Sequence, residues 1–261
     1  METIRPAAVS GVFYPSNPVE LRATIARLLG EADAGDTEPA AIIAPHAGYL
    51  YSGPIAASAF APLKNLSTPP RRIALIGPAH HYPVRGIAAP RATAFSTPLG
   101  PLPVDQTTIA ALRRRCGVVY SDLAHEREHC LEVELPFLQV LFDTFAIVPL
   151  LVGQASPEHV QGVIEALWQR PDTLVVISSD LSHYHDYRTA KKLDRLTCQA
   201  IENLAPETIA EHQACGQRPV AGLLLAARGR KLSVSTADLR NSGDTAGGRD
   251  RVVGYGAWQL A

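Results

Sequence analysis

The 261-residue chain has no long hydrophobic run and no excess of charge of one sign. No stretch of about 18 residues is apolar throughout, and residues 1–9 contain no hydrophobic signal core, so we expect neither membrane insertion nor export. The 24 Lys and Arg residues nearly balance the 25 Asp and Glu residues. This balance argues against nucleic acid and anionic membranes as partners. We therefore expect a cytoplasmic protein.

Cysteine is scarce, and no two cysteines are close in sequence. The four residues Cys116, Cys130, Cys198 and Cys215 form no Cys-x-x-Cys pair, which argues against a disulfide framework and a zinc ribbon. Most of them are expected to be small buried hydrophobic residues, and only Cys130, which follows His129, lies beside another chemically active side chain.

Several motifs of common enzyme classes are also missing. No Gly-x-Gly-x-x-Gly follows a predicted strand, and the chain has neither a Walker motif nor a Gly-x-Ser-x-Gly turn. Nucleotide binding and serine hydrolase chemistry are therefore not favoured.

Three apolar runs each end in a polar turn that carries histidine or aspartate. Residues 40–44 are followed by His46, residues 73–76 by His80 and His81, and residues 174–177 by Asp180 and His183. Such runs predict strands buried on both faces of a sheet, and the carboxyl ends of these strands are where open α/β sheets bind ligands. Because neighbours on an extended chain point to opposite sides, only one of His80 and His81 is expected to face the site.

Strands alternate with helices along the chain, which predicts an α/β fold. We expect one domain over residues 1–261, with a mixed, mainly parallel central sheet between two helical layers. Asn17 before Pro18, and Ser156 before Pro157, predict capped helix starts. A helix is also predicted over residues 131–142, with Pro136 causing a kink or lying in an early first turn.

The convergent side chains predict a metal site but leave its chemistry open. Two imidazoles and a carboxylate on one face of a metal are typical of non-haem Fe(II) centres. The same ligands also hold zinc with a water molecule, and the chemistry would then be hydrolytic.

Two further groups have both a functional and a structural interpretation. His129 and Glu132 are three residues apart, so on a helix start the carboxylate would orient the imidazole; alternatively, the acid only favours the helix dipole. The loop around Asp244 would either deliver a carboxylate to the site or simply turn the chain.

Six motifs follow one another in order along nearly the whole chain. They are residues 11–15 (GVFYP), 42–49 (IIAPHAGY), 77–81 (GPAHH), 128–132 (EHCLE) with 135–136 (LP), 178–183 (SSDLSH) and 253–255 (VGY). Together they resemble the Memo family, whose bacterial members are called AmmeMemoRadiSam system protein B.

The Memo family is similar in fold to the class III extradiol dioxygenases, whose iron is bound by two histidines and a carboxylate. The resemblance implies that His46 and His80 are metal ligands and that His183 is the acid/base, with Asp180 beside it. Animal members place a cysteine in the loop before the final strand, where an ungapped alignment puts Thr245. Its neighbour Asp244 is then the nearest candidate for the third ligand.

The resemblance implies an Fe(II)-dependent oxidoreductase acting on a catechol-like or enediol substrate, with zinc or copper as alternative metals. In this scheme Asp180 or His129 orients His183. Bacterial relatives are associated with a radical-SAM partner protein, which suggests a modification pathway.

A non-catalytic module that binds a peptide or other ligand in the same pocket is the alternative function. It is supported by the missing cysteine and by three basic residues near the second strand, Arg71, Arg72 and Arg85, which have no evident partners in the sequence.

Overall fold

The three apolar runs that end in histidine or aspartate form central strands of one large sheet. The computed structural model describes residues 3–261. Its strands are β1 (Ile4–Arg5), β2 (Ala41–Ala44), β3 (Arg72–Pro78), β4 (Ile87–Ala89), β5 (Ala94–Thr97), β6 (Gly100–Pro103), β7 (Val119–Tyr120), β8 (Ala146–Val152), β9 (Thr173–Ser178), β10 (His183–His185), β11 (Val234–Asn241) and β12 (Val252–Leu260).

Eight α-helices accompany these strands within the same residues. They are α1 (Pro18–Glu31), α2 (Tyr49–Phe60), α3 (Gln106–Cys116), α4 (Asp122–Glu126), α5 (Leu135–Leu141), α6 (Pro157–Trp168), α7 (Tyr187–Glu202) and α8 (Gln217–Arg230).

The strand order of the large sheet is β10-β12-β2-β9-β3-β8-β4-β7, with β11 paired to residues 254–260 of β12. The four strands β2, β9, β3 and β8 are mutually parallel, whereas β12 runs antiparallel to β2, β10 and β11. A separate three-stranded sheet is formed by β1, β5 and β6. The predicted mixed sheet with a parallel centre is therefore confirmed.

Register brings the ends of the central strands to one edge of the sheet. Ala44 of β2 pairs with Ser178 of β9, and Ile76 of β3 pairs with Ile177 of β9. The chain segments that follow β2, β3 and β9 therefore leave the sheet side by side, at the edge where the sequence predicts ligand binding.

The core covers both faces of these strands. All four residues of β2 are buried, and so are six of the seven residues of β3, because helices pack on each side. One layer contains α3, α6 and α8, and the other contains α1, α2 and α5. One contiguous cluster of buried residues extends from Tyr14 to Leu260. No helix within residues 3–261 combines the length and apolarity needed to cross a membrane.

Local sequence signals fix several helix starts. The Asn17 side chain accepts hydrogen bonds from the backbone of Val19 and Glu20, as its predicted capping role requires. The Ser156 hydroxyl accepts one from the backbone of His159 in the same way. Such caps stabilise a helix by about 1 kcal/mol each.

The predicted helix over residues 131–142 is shorter in the structure. Residues 130–134 form turns, and α5 begins only at Leu135. Pro136 then lies in the first helical turn, where its missing N–H group costs no hydrogen bond. The expectation that His129 and Glu132 share the face of a helix is therefore wrong.

Candidate metal centre

Three histidines from separate segments of the chain lie in contact at the carboxyl edge of the sheet. The ring centroids of His46 and His80 are 5.3 Å apart, and those of His46 and His129 are 5.5 Å apart. His80 and His129 stack with their centroids 5.0 Å apart and their planes 19° from parallel. The turns after β2 and β3 and the segment after α4 thus build one imidazole cluster.

His46 is buried and is held through its ring and through its backbone. Its Nδ1 lies 2.7 Å from the hydroxyl of Ser178, and its backbone N–H donates to Oδ1 of Asp180 at 2.9 Å. Burial, followed by the charge of His80, keeps the pKa of His46 well below its usual value. The imidazole is therefore neutral near pH 7, which is the form that binds metals.

Glu128 holds His80 through two hydrogen bonds. Oε1 of Glu128 lies 2.9 Å from Nδ1 of His80, and Oε2 accepts the His80 backbone N–H at 2.6 Å. Burial acts to raise the pKa of Glu128, but the hydrogen bonds and charge of His80 outweigh it, and the pKa falls below its usual value. An ionised carboxylate that accepts Nδ1–H leaves Nε2 of His80 free for a metal.

A cysteine completes this set, although the sequence did not identify it as a ligand. The Sγ atom of Cys215 lies 3.3 Å from Nε2 of His46 and accepts the backbone N–H of Asp180 at 3.3 Å. Burial, followed by the charge of Asp180, raises the pKa of this thiol. A bound cation would reverse that preference, because a coordinating thiol is deprotonated.

Gly216 allows Cys215 to approach the sheet edge. A Cβ atom on Gly216 would lie 2.6 Å from Cβ of Ser179, which is closer than such atoms pack. The sequence signal for Cys215 is a cysteine followed by glycine directly before the apolar helix α8. An ungapped alignment instead places the family cysteine at Thr245, and this hides the signal.

The structure does not bring Asp244 to the histidines. Its carboxylate accepts the Tyr187 hydroxyl at 2.5 Å and the Asn241 backbone N–H at 3.1 Å, so it caps the short 3-10 helix Ser242–Asp244. The Thr245 hydroxyl donates to the carbonyl of Ser242. This loop therefore has the structural role that was the alternative interpretation, and Cys215 takes the place expected for Asp244.

The ligand set fits a metal ion. One donor atom each from His46, His80 and Cys215 lies within 4.8 Å of the other two. Both imidazoles have Nδ1 engaged by a neighbouring group, so each presents Nε2 to the site, where Nε2 of His46 already contacts Sγ of Cys215. Two imidazoles and a thiolate are a donor set that binds iron, zinc or copper.

His183 is positioned by a backbone carbonyl. Its Nδ1 lies 2.7 Å from the carbonyl oxygen of Leu181, which only accepts hydrogen bonds, so Nδ1 carries the proton and Nε2 keeps a lone pair. His183 begins β10, three residues after Asp180, in the segment that follows β9. The orienting role expected of Asp180 or His129 is thus taken by Leu181.

Asp180 lies beneath the cluster, and its side chain is almost fully buried. Burial raises the pKa of its carboxyl group, and the hydrogen bond from the His46 backbone acts in the opposite direction. Because it also binds the thiol of Cys215 through its backbone N–H, Asp180 links two of the three candidate metal ligands.

Glu132 does not orient His129. Its carboxylate is fully buried, where it pairs with Arg5 and accepts the hydroxyl of Tyr14 and two backbone N–H groups. His129 instead lies against Phe13, with ring centroids 5.1 Å apart, and its Nδ1 is 3.4 Å from Oε1 of Glu128. Burial lowers the pKa of His129 to about 4, so this imidazole is also neutral near pH 7.

A cavity of about 670 Å³ adjoins the ligand set on the Cys215 side. Pro78 and Ala79, directly before His80, line it together with Arg85 and Arg218. The other basic residues of the binding-module hypothesis are engaged elsewhere, since Arg72 pairs with Asp105 at 2.6 Å and Arg71 lies 3.9 Å from Asp172. Of the three, Arg85 alone contributes to the cavity wall.

Comparisons with known proteins agree with the motifs. A family model described as "Memo-like protein" matches residues 5–259. A MEMO1 family protein of Methanopyrus kandleri is 34% identical over 278 residues, which cover 97% of each chain. A MEMO1 family protein of Thermotoga petrophila is 33% identical, with 96% of this chain and 97% of that protein covered.

A solved structure shows the same fold. The crystal structure of an uncharacterized protein from Escherichia coli K12 superimposes with a TM-score of 0.60, covering 85% of this chain and 99% of that chain at 12% identity. At this identity the likeness concerns the fold alone. The family model and the relatives cover nearly the whole chain, and they show that the chain belongs to the Memo family.

Proposed function

We propose that this Memo-family chain is a metal-dependent oxidoreductase of the extradiol dioxygenase type. Its substrate would be a small molecule with two adjacent oxygen atoms, as in a catechol or an enediol. The observation that carries the proposal is the set of donor atoms on His46, His80 and Cys215, which all lie within 4.8 Å of one another at the edge of the sheet.

The protein supplies a rigid ligand set. Ser178 holds the ring of His46, and Glu128 holds the ring of His80, so that neither imidazole has to be ordered when a metal binds. Fe(II) bound there would supply the redox chemistry needed to activate dioxygen. The same donors also accept zinc or copper, which are the alternative metals.

His183 is the proposed general base. Its Nδ1–H group is held by the Leu181 carbonyl, so Nε2 is the atom that takes a proton from a substrate hydroxyl. Asp180, three residues earlier in the same segment, would stabilise the imidazolium formed by this transfer. His183 can then return the proton from Nε2 when the product is formed.

The cavity beside Cys215 is the proposed substrate chamber. At about 670 Å³ it has room for a small molecule, and it adjoins the proposed metal ligands through Cys215 and through Ala79, which precedes His80. Its polar lining includes Gln154, Gln217 and Arg218. A substrate there would be ordered by polar contacts on one side and by Cys215 on the other.

Iron loading and oxygen uptake test the proposal. Protein purified without a histidine tag and without oxygen is loaded with Fe(II), and oxygen consumption is followed with catechol as the probe. We expect uptake by the unmodified protein and a loss of 100-fold or more in His183→Ala, since general acid–base catalysis contributes about 10²–10⁴-fold. His212→Ala, which changes an exposed histidine, is the matched control. Iron absent from His46 and His80 in an anomalous diffraction map would refute the proposal.

A non-catalytic ligand-binding module is the second candidate. The observation that favours it is the thiol of Cys215 in the place where an extradiol centre has a carboxylate, because thiolate also suits zinc and copper. In that case a peptide or small ligand would occupy the cavity, with Arg85 on its wall. His183→Ala would then leave ligand binding unchanged, and the unmodified protein would consume no oxygen.

A reducing compartment fits both candidates. Cys215 and the other three cysteines are free thiols, and the proposed metal site requires Cys215 to stay reduced. We therefore propose a cytoplasmic location. The radical-SAM partner stays a prediction from the family resemblance.

A further inference from the structure

A second group of possible metal ligands lies outside the set formed by His46, His80 and Cys215. One donor atom each from His81, Glu128 and His129 lies within 4.8 Å of the other two. We propose that these three residues form a second site for a divalent first-row transition-metal ion. The inference does not rest on the proposed oxidoreductase activity, although Glu128 also holds His80 of the first set.

The donor set is chemically distinct from the first one. Two imidazoles and one carboxylate are the ligands of a facial triad, which favours Fe(II) and related ions and leaves open positions on the metal. The sequence predicts two imidazoles and a carboxylate at the edge of the sheet. His81, His129 and Glu128 provide this combination, whereas the group around His46 does not. The first set instead has the softer thiol of Cys215.

His129 and Glu128 are already arranged around a common point. Nδ1 of His129 lies 3.4 Å from Oε1 of Glu128, and the His129 backbone N–H donates to the same oxygen at 3.0 Å. Stacking on His80 and edge contact with Phe13 hold the ring of His129 in place. Two of the three ligands are therefore ordered before a metal binds.

The donor atoms keep unused lone pairs. Within residues 3–261, Oε2 of Glu128 accepts only the backbone N–H of His80, although a carboxylate oxygen has two lone pairs. In the same part of the chain, the rings of His81 and His129 make no hydrogen bond. These imidazoles can therefore bind a cation without giving up a hydrogen bond to the protein.

His81 completes the site from the solvent side. Strand alternation predicts that it points away from His80, but residues 80–82 form a bend, and its ring centroid lies 5.7 Å from that of His129. His81 is exposed, so an ion would enter the site past this residue.

Co(II) is the probe that separates the two sites. Metal-free protein is titrated with Co(II) without oxygen, and calorimetry counts the ions bound. Near-ultraviolet absorption reports thiolate–cobalt charge transfer, which requires a cysteine ligand, and the Cys215→Ser variant assigns the band to Cys215 rather than to Cys130, which lies beside His80 and Glu128. We expect the unmodified protein to bind two equivalents and to show the thiolate band.

The variants assign each equivalent to a site. His81→Ala should bind one equivalent and keep the band, whereas Cys215→Ser should bind one equivalent without the band. His212→Ala, the exposed control, should bind two. The second site would be overturned if the unmodified protein bound a single equivalent with the band, or if His81→Ala bound two equivalents. If the unmodified protein bound a single equivalent without the band, and His81→Ala lost that equivalent, the result would support the second site and refute the first.

Discussion

Nδ1 of His80 lies 2.9 Å from Oε1 of Glu128, and this contact determines which ring nitrogen of His80 faces the metal site. The carboxylate is almost fully buried and also accepts the His80 backbone N–H, so both the ring and the turn depend on it. Orientation of a ligand imidazole by a carboxylate recurs in protein metal sites.

Glu128→Gln should weaken metal binding at the site of Cys215. The amide has no charge to polarise the imidazole, and loss of such an outer partner costs about 10–100-fold in affinity. Competition titration with Co(II), read at the thiolate band, measures the change. Glu126→Gln alters an exposed carboxylate two residues away and should have no effect. Equal affinities in the two variants would contradict the role of Glu128.

Cys215→Ser should lower the affinity of this site by more than the roughly 100-fold expected for an outer partner, because it removes a ligand atom. Thr245→Ala should leave the affinity unchanged, since its hydroxyl binds only the Ser242 carbonyl among the described residues. Equilibrium dialysis with Zn(II) measures both variants. If Thr245→Ala lost zinc and Cys215→Ser retained it, the ungapped alignment, which places the family cysteine at Thr245, would be supported instead.

Glu132→Gln should destabilise the fold. The change leaves Arg5 buried without its anionic partner, and breaking a buried ion pair costs about 3–5 kcal/mol. Glu31→Gln disrupts an exposed pair with Arg27, which is worth less than about 1 kcal/mol. Urea unfolding at pH 7 compares the two, and similar midpoints would show that the buried pair contributes little.

His125 should make the metal-free protein less stable in acid. Burial lowers the pKa of His125 from 6.5 to about 4, so protonation favours the unfolded chain. This contribution is fully present above pH 6.5 and is lost as the pH falls toward 4. Between pH 7 and pH 5, the free energy of unfolding should fall by about 2 kcal/mol more in the unmodified protein than in His125→Gln. Urea titrations at the two pH values measure the difference, and parallel losses would show that His125 is protonated without penalty.

Gly254→Ala should destabilise the segment that carries Asp180 and His183. A Cβ atom at Gly254 would lie 2.1 Å from Oδ2 of Asp194, whose other carboxylate oxygen accepts the Ser182 backbone N–H. Forcing an atom into such packing costs about 1–3 kcal/mol. Gly229→Ala is the control, because its Cβ would meet no atom within 4 Å and alanine favours the helix. Thermal unfolding of both variants measures the effect, and equal melting temperatures would mean that Asp194 moves aside freely.

Local patterns in the sequence predicted the strands and the place of the site. The apolar runs before His46, His80 and Asp180 are explained by burial on both faces of a parallel sheet. This pattern is visible within a few consecutive residues, so it can be recognised from the sequence. Caps such as Asn17 are equally local. The convergence of His46 and His80 follows from these strands and their common edge.

The remaining features depend on contacts between distant residues. Cys215 reaches His46 across 169 positions, and Glu132 meets Arg5 across 127 positions. The spacing of residues in the sequence does not predict such pairs. Two residues this far apart in the chain come into contact only when the sheet has formed. The prediction that Glu132 orients His129 is wrong for a second reason. Residues 130–134 form turns instead of the helix that the pattern predicted.

The position of β12 has a consequence for synthesis of the protein. This strand lies between β10 and β2, and it is made after every other strand of the sheet. A ribosome that has translated residues 1–250 has therefore produced all the proposed metal ligands, but β10 with His183 still has no neighbouring strand to join. The sheet around His183 is thus completed only once β12 has left the exit tunnel, and metal capture before that point would occur on an incomplete sheet.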